Sequence, residues 1–435
     1  MERFAMNQLL KWKDKENRKP LIIRGARQVG KTWLMKEFGK RYFEKVAYIS
    51  FINNERMKQI FEGDVDIDRL ILGLSAESGV DIEASNTLII MDEIQEVPKA
   101  LASLKYFYED APEYQIVSAG SLLGVALHKG TSFPVGKVDF MDLYPLSFQE
   151  FLFAIGDERY IKILNGNDEV MIKSFKSKYI ERLREYYFVG GMPEVVQSFI
   201  NNNNYKAARE IQNNILNYYQ QDFSKHAENT LFPRLNLIWN SIPSQLAKEN
   251  KKFIYGQVRK GARAKEFELA IQWLLDCGLI HKVHRIKKPN LPLKAYMEMD
   301  VFKIYLLDVG LLGAMVDLDE KVILEGNQLF TEFKGALTEQ YVLQQLIADL
   351  DTEPYYYSSP NSTGEIDFIL QGRTNIIPVE VKAEENLKAR SLRMFVEKFK
   401  SKYALRISMS DYREQDWMTN IPLYEIRKVE KYLEE

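Results

Sequence analysis

Apolar and polar positions change their rhythm several times along this chain, and each change predicts a different kind of element. Over about the first 150 residues, short apolar runs stand at Leu21–Ile23, Val46–Phe51, Leu88–Met91, Gln115–Ala119 and Val138–Leu143. These runs have strand length, and helical stretches lie between most of them, which predicts a mostly parallel α/β sheet. From Ser147 to about Phe232 the pattern turns helical, with Tyr, Phe and Leu at three- and four-residue spacing. Gly190-Gly191 and the Asn201–Asn204 run interrupt it as loops. Leu235–Ala247, the stretch around Tyr255–Lys260 and Glu266–Cys277 read as three further helices. LIHKVHRIK, a PNLP turn and LKAYMEM then form a hairpin. The last 110 or so residues begin with a helix over Gly335–Leu350, continue into strands and end in a charged helical tail. No internal repeat is present.

Composition narrows the class. The 435 residues carry 59 Lys and Arg against 61 Asp and Glu, a net charge of −2, so the chain as a whole is not built to coat a polyanion. An apolar share of 46% gives ample core, and 23 glycines with 14 prolines are too few for a low-complexity chain. The single Cys277 excludes an intramolecular disulfide and a Cys-rich zinc site, as expected in a reducing cytosol. The first twenty residues show no secretory apolar stretch, and no apolar run approaches the roughly 18 residues of a membrane span. The expectation is a cytoplasmic protein without membrane contact. One region departs from the average: residues 248–294 hold twelve Lys or Arg against four Asp or Glu.

The most specific motif is GARQVGKT at residues 25–32, between the strand LIIRG and the helical pattern WLMKEFGKRYF. Such a loop turns its backbone N–H groups and a helix N-terminus toward a triphosphate. Gly25, Ala26, Arg27, Gln28, Val29 and Gly30 would line the phosphates, Lys31 would reach the β and γ groups, and Thr32 would ligate Mg²⁺. TLIIMDE at 87–93 supplies the other half: a strand buried on both faces that ends in two acids. Asp92 would hold Mg²⁺ through water and Glu93 would polarise the attacking water. QIVSAGS adds Ser118 and Ser121, and Ser121 is the preferred sensor of the γ-phosphate. ATP and Mg²⁺ are the expected cofactors. No Asn-Lys-x-Asp motif of the guanine-binding kind is present.

RKPLIIRGARQVGKT, LIIMDEIQ, LYPLSFQEF and GGMPEVV together resemble a prokaryotic AAA+-type ATPase family. The resemblance spans residues 2 to 390 or so, and its members carry a C-terminal domain of the PD-(D/E)xK nuclease fold. It implies a P-loop α/β core over 1–147, a helical linker or lid over 148–232, a winged-helix-like module over 233–326 and a nuclease-like α/β domain over 327–435. Three helices followed by a hairpin is also winged-helix order. Its recognition helix would be Lys265–Asp276, and Arg259, Lys260, Arg263, Lys287 and Lys288 would contact the phosphates of DNA or RNA.

A second chemical constellation lies in EIDFILQGRTNIIPVEVK, residues 365–382. A four-residue loop from Gly372 to Asn375 sets Gln371 opposite Ile376 and hence Asp367 opposite Glu380, close enough to share a divalent metal. Lys382 projects from the same face as Glu380. Glu339 shares a helix face with Leu343, Leu346 and Leu350, where a carboxylate is costly unless paired. In the nuclease fold that the resemblance implies, Glu339, Asp367 and Glu380 hold Mg²⁺ and Lys382 is catalytic. Two functions follow: an ATPase coupled to a metal-dependent nuclease, or a regulatory ATPase whose C-terminal domain binds without cutting. A homo-oligomer is open in either case.

Overall fold

Each of the five expected strands of the N-terminal region is a strand in the computed structural model, which describes residues 1–121, 133–166, 168–248, 251–326, 331–359, 364–385 and 389–435. They are β1 (Leu21–Arg24), β2 (Lys45–Ser50), β3 (Thr87–Asp92), β4 (Gln115–Ala119) and β5 (Asp139–Asp142). Their order across the sheet is β2-β3-β4-β1-β5, with every neighbouring pair parallel. Parallel strands need crossovers, and helices supply them: Lys31–Tyr42, then Glu55–Glu62 and Ile67–Ser78, then Pro98–Asp110. β3 is buried at all six positions because helices cover both sheet faces. Ile49, Ile89, Met91 and Ile116 of the strands pack with Leu70, Leu74, Leu101 and Phe107 of the helices. β4 separates β1 from β3, so the phosphate loop and the acidic strand end are not adjacent in the sheet. This sheet and its helices form one compact unit, residues 2–144 with 276–279.

Residues 145–275 and 280–435 form the other unit. Its sheet has eight strands in the order β12-β13-β11-β10-β9-β8-β6-β7. β6 is Ile280–Ile286, β7 Met297–Leu306, β8 Tyr355–Ser358, β9 Glu365–Gln371 and β10 Ile376–Val381. β11 is Leu405–Ser408, β12 Arg413–Glu414 and β13 Thr419–Pro422. The three helices expected before the hairpin are Phe232–Leu246, Tyr255–Val258 and Ala264–Asp276. The hairpin does not stand apart. β6 pairs in parallel with β8 through Arg285 and Tyr356, so one sheet continues past residue 326. The expected boundary between 326 and 327 itself touches residues outside the described set.

The helix Thr331–Leu350 is the axis of this unit. Its pattern predicts one buried face, yet Ala336 through Leu346 are all buried. Its glutamines explain how. The Gln340 side chain bridges the N–H and C=O of Leu306 at 2.9 and 2.6 Å, Gln344 Oε1 accepts from Val309 N–H at 2.9 Å, and Gln345 Oε1 accepts from Phe148 N–H at 2.7 Å. Satisfied amides can be buried where bare ones could not.

The strings LYPLSFQEF and GGMPEVV also find a structural reason. Leu146 N–H donates to Gly191 O at 2.7 Å, and a Cβ on Gly191 would lie 2.1 Å from Leu146 O. Ser147 caps the helix Phe148–Ala154 with Glu150 as the reciprocal partner. Gly191 N–H donates to the buried Asp308 at 2.7 Å. Both strings hold the helical region together.

Candidate functional site

The N-terminal site is assembled from the ends of β1, β3 and β4. Gly25 has φ +142, and any Cβ there would stand 2.2 Å from Leu143 O, so the turn out of β1 accepts only glycine. The loop ends where the helix Lys31–Tyr42 begins, and its N-terminal N–H groups have no intrahelical partners. Lys31 is buried and donates to Gly25 O and Ala26 O, both at 2.8 Å. Burial pushes its ammonium down to about 8, against the pull of Glu93 and Asp92.

Thr32 Oγ1 donates to Asp92 Oδ2 at 2.7 Å. Tyr48 OH, from β2, donates to the same oxygen at 3.0 Å. Asp92 Oδ1 is buried and has no hydrogen-bond partner among the described residues. An orphaned carboxylate oxygen beside a threonine hydroxyl fits Mg²⁺: Thr32 and Asp92 would hold the ion, which would supply charge compensation to the phosphates.

Glu93 follows directly and has left-handed backbone, φ +52. Its carboxylate receives Ser121 N–H at 3.1 Å and Gln95 Nε2–H at 2.6 Å, and Ser121 Oγ lies 2.8 and 2.9 Å from its two oxygens. Burial alone would raise its carboxyl, but the Gln95 bond, Lys31 and Ser121 outweigh it and hold it below the ordinary range. Glu93 is therefore ionised at neutral pH, as a group that polarises water must be. Arg27 Nε donates to Ser121 Oγ at 3.2 Å, which links the phosphate loop to the end of β4. Ser118, by contrast, points into the sheet interior, fully buried and without a partner among the described residues.

Tyr48, Gln95 and Gly278 are the residues that sequence reasoning missed. Gly278 belongs to this unit, and a Cβ on it would lie 3.1 Å from Ala26 N. For Tyr48 a signal exists: it stands in β2, which pairs with the acid-bearing β3 in register from Lys45/Thr87 to Ser50/Asp92.

The second constellation is built on β9, β10 and the helix Thr331–Leu350. β9 and β10 are antiparallel with Gln371 opposite Ile376 and Phe368 opposite Val379. One step further along this register brings Asp367 to Glu380, and Val381 N–H donates to Asp367 Oδ2 at 2.7 Å. Lys382 Nζ lies 2.9 Å from Glu380 Oε1. Burial alone would lower this ammonium, and Glu380 outweighs it. Glu380 Oε2 is buried with no hydrogen-bond partner among the described residues.

Glu339 faces inward, 8% exposed, and is already paired. Lys251 Nζ bonds its Oε1, and Tyr305 OH donates to its Oε2 at 3.1 Å. Lys303 Nζ is 4.0 Å from that second oxygen and 2.5 Å from Glu365 Oε1. Burial and the Glu339 charge together lift the Asp367 carboxyl to about 7. Among the described residues, no three His, Cys, Asp or Glu side chains are grouped so as to hold a metal ion. The three acids expected as ligands share a neighbourhood, but lysines stand among them. Arg259, Lys260, Arg263, Lys287 and Lys288 are all exposed, and of these Arg259 pairs with Glu266 at 2.8 Å.

Comparison with known proteins divides the chain into three parts. An AAA domain matches residues 17–152, and two domains of unknown function, DUF8612 and DUF4143, match 180–322 and 334–426. Uncharacterized proteins of Mycobacterium bovis and Mycobacterium tuberculosis are each 23% identical over 361 residues, 81% of this chain and 67% of theirs. Among solved structures, the Walker-type ATPase PABY2304 of Pyrococcus abyssi is similar over 72% of this chain and 94% of that one, with 14% identity and a TM-score of 0.46. The Orc1 protein of Aeropyrum pernix, solved in complex with DNA, is similar over 73% and 93%, with 11% identity and a TM-score of 0.27. No helix among the described residues is long and apolar enough to cross a membrane. With the phosphate loop, the Thr32–Asp92 pair and Glu93 in place, residues 17–152 are an AAA-type ATPase domain, a class that implies ATP and Mg²⁺.

Proposed function

We propose that this cytoplasmic chain hydrolyses ATP and uses the nucleotide state to control its C-terminal α/β domain. The observation that carries the first half is the paired geometry at the end of β3: Asp92 with one oxygen on Thr32 and one unpartnered, and Glu93 ionised beside it. Lys31 and the loop from Gly25 to Gly30 bind the phosphates, Thr32 and Asp92 hold Mg²⁺, and Glu93 takes the proton of the attacking water. Ser121 reports on the γ-phosphate through its bonds to Glu93 and Arg27. The test is Glu93→Gln, which keeps the shape and removes the base. ATP binding should persist while turnover falls by about 10²–10⁴-fold. Turnover at the wild-type rate would falsify the role of Glu93.

The controlled domain has two readings. In the first it binds without cutting, beside residues 233–326 as a winged-helix-like module that presents Arg259, Lys260, Arg263, Lys287 and Lys288 to nucleic acid. The exposure of all five and the local positive excess support contact with phosphates. In the second, Glu339, Asp367, Glu380 and Lys382 form a metal-dependent nuclease, which the unpartnered Glu380 oxygen favours. The lysines at Glu339 weigh toward the first reading. Metal-dependent cleavage of a DNA and RNA panel, with and without ATP, that disappears in Asp367→Ala would reverse that choice.

A further inference from the structure

The carboxylates on and beside the C-terminal sheet stand among cations of the chain itself. Glu339 is bonded by Lys251, Glu365 lies 2.5 Å from Lys303, and Glu380 lies 2.9 Å from Lys382. Across the parallel pair of β10 and β11, Glu380 also stands opposite Arg406, which is 1% exposed. With Asp367, four acids face four bases. Lys303 is the most telling member: its side chain is completely buried, and a buried ammonium persists only where carboxylates pair it. Those carboxylates are Glu365 and, at 4.0 Å, Glu339.

A divalent ion at this place would find few free ligands. Glu339 Oε1 is held by Lys251 and Oε2 by Tyr305 OH, while Asp367 Oδ2 is held by Val381 N–H. Two ammonium groups would also repel the ion at close range in a poorly screened interior. The donor set of a metal centre is present in the sequence, but Glu339 and one oxygen of Asp367 are already engaged, which leaves Glu380 Oε2 as the unpartnered carboxylate oxygen.

We propose that Lys251 and Lys303 are the resident cations of the Glu339–Asp367–Glu380 set, so that the site takes no divalent metal and acts as a charge cluster. It rests on the reading that this domain does not cut. The cluster has a positioning role. Lys251 comes from the segment after the helix Phe232–Leu246 and Lys303 from β7, whereas Glu339 and Asp367 come from the helix Thr331–Leu350 and β9. The ion pairs therefore tie the segment after the helix Phe232–Leu246 to the helix Thr331–Leu350, and β7 to β9 across the sheet, within one compact unit.

The experiment is a Mn²⁺ titration of the full chain without nucleotide, followed by electron paramagnetic resonance, in parallel with thermal unfolding. Wild type and Asp367→Asn should bind the same amount of Mn²⁺. A Mn²⁺ equivalent present in wild type and lost in Asp367→Asn would overturn the proposal. If that protein still cleaved no nucleic acid, the non-cutting reading would survive it. Lys251→Met should unfold at lower temperature than wild type and recover part of the loss in millimolar Mn²⁺, with the recovery abolished by adding Asp367→Asn. No recovery in a folded Lys251→Met protein would overturn the role given to Lys251. If that variant does not fold, the comparison of wild type with Asp367→Asn decides alone.

Discussion

Two acidic sites in this chain look alike as strings and differ as electrostatics. At the end of β3, Asp92 shares one oxygen with Thr32 and Tyr48 and leaves the other buried without a hydrogen-bond partner. In the C-terminal set, Glu339 and Glu365 meet Lys251 and Lys303 from other elements, while Glu380 meets Lys382 two residues on. The carboxylates of the first site bond hydroxyls and amides; those of the second meet ammonium groups directly. Spacing can place carboxylates together, but their function depends on what else arrives at the same point. For the P-loop the partners lie in local motifs. For the C-terminal set they arrive from 88 residues upstream of Glu339, at Lys251, and from Lys303 on a strand with its own hairpin.

The effect on function that most clearly separates the two sites is expected at Lys31. Its ammonium bonds the loop carbonyls Gly25 O and Ala26 O, and turned to the phosphates it would make charge-assisted bonds worth about 1.5–3 kcal/mol each, which Lys31→Ala removes. ATP affinity should drop by roughly one to two orders of magnitude, measured by calorimetry, and turnover should vanish with it. The C-terminal unit should unfold at an unchanged temperature. Loss of that unit's stability in Lys31→Ala would mean that the two sites are not separate systems.

Lys303→Met is the matching change in the other site. Removing one partner of a buried pair leaves uncompensated charge on Glu365 and Glu339 and costs about 3–5 kcal/mol. Denaturant unfolding should register that loss, while ATP binding remains. An unaltered midpoint would show that the cluster contributes nothing to stability, and would place its value elsewhere.

Much of the first site was legible because its parts are contiguous. GARQVGKT follows the apolar run that becomes β1 and TLIIMDE contains β3, and the fold then brings Thr32 to Asp92. Ser121 was legible as the polar end of β4, but its hold on Glu93 was not, since the left-handed turn at Glu93 aims that carboxylate. In the C-terminal region, hairpin counting gave the register of β9 and β10, because loop length sets it. The all-round burial of Thr331–Leu350 escaped pattern reading, since three glutamines look polar until their amides find backbone partners. The lysines escaped it for a related reason: Lys251 in a basic stretch and Lys303 as the one charge in an apolar run both read as solvated heads, and only long-range folding buries them.

A third difference between the sites is their response to pH. Burial pushes the Lys31 ammonium down to about 8, so the fraction charged falls as pH rises through that value. Bound phosphates favour the protonated form, and binding above pH 8 must therefore take up a proton. ATP affinity should weaken between pH 8 and 9, by up to tenfold per unit, and calorimetry in buffers of different ionisation enthalpy should detect the uptake. Equal affinity at pH 7 and 9 would refute a depressed ammonium.

The smallest effect is expected at Tyr48, and it sharpens the comparison most finely because it changes neither charge nor fold. The hydroxyl donates to Asp92 Oδ2 at 3.0 Å, and burial with the Asp92 charge raises its own ionisation to about 12, so it stays a donor at any working pH. Lys36 sits 3.5 Å over the ring and holds it in place. Tyr48→Phe keeps the ring and deletes one bond to a carboxylate that Thr32 also bonds, so the loss should be about 0.5–1.5 kcal/mol. That amounts to a few-fold change, and its location matters more than its size. If Tyr48 orients Asp92 toward Mg²⁺, the Mg²⁺ concentration for half-maximal turnover rises while ATP affinity without metal stays level. A fall in metal-free ATP affinity instead would assign Tyr48 to the nucleotide, and Asp92 would then keep its orientation from Thr32 alone.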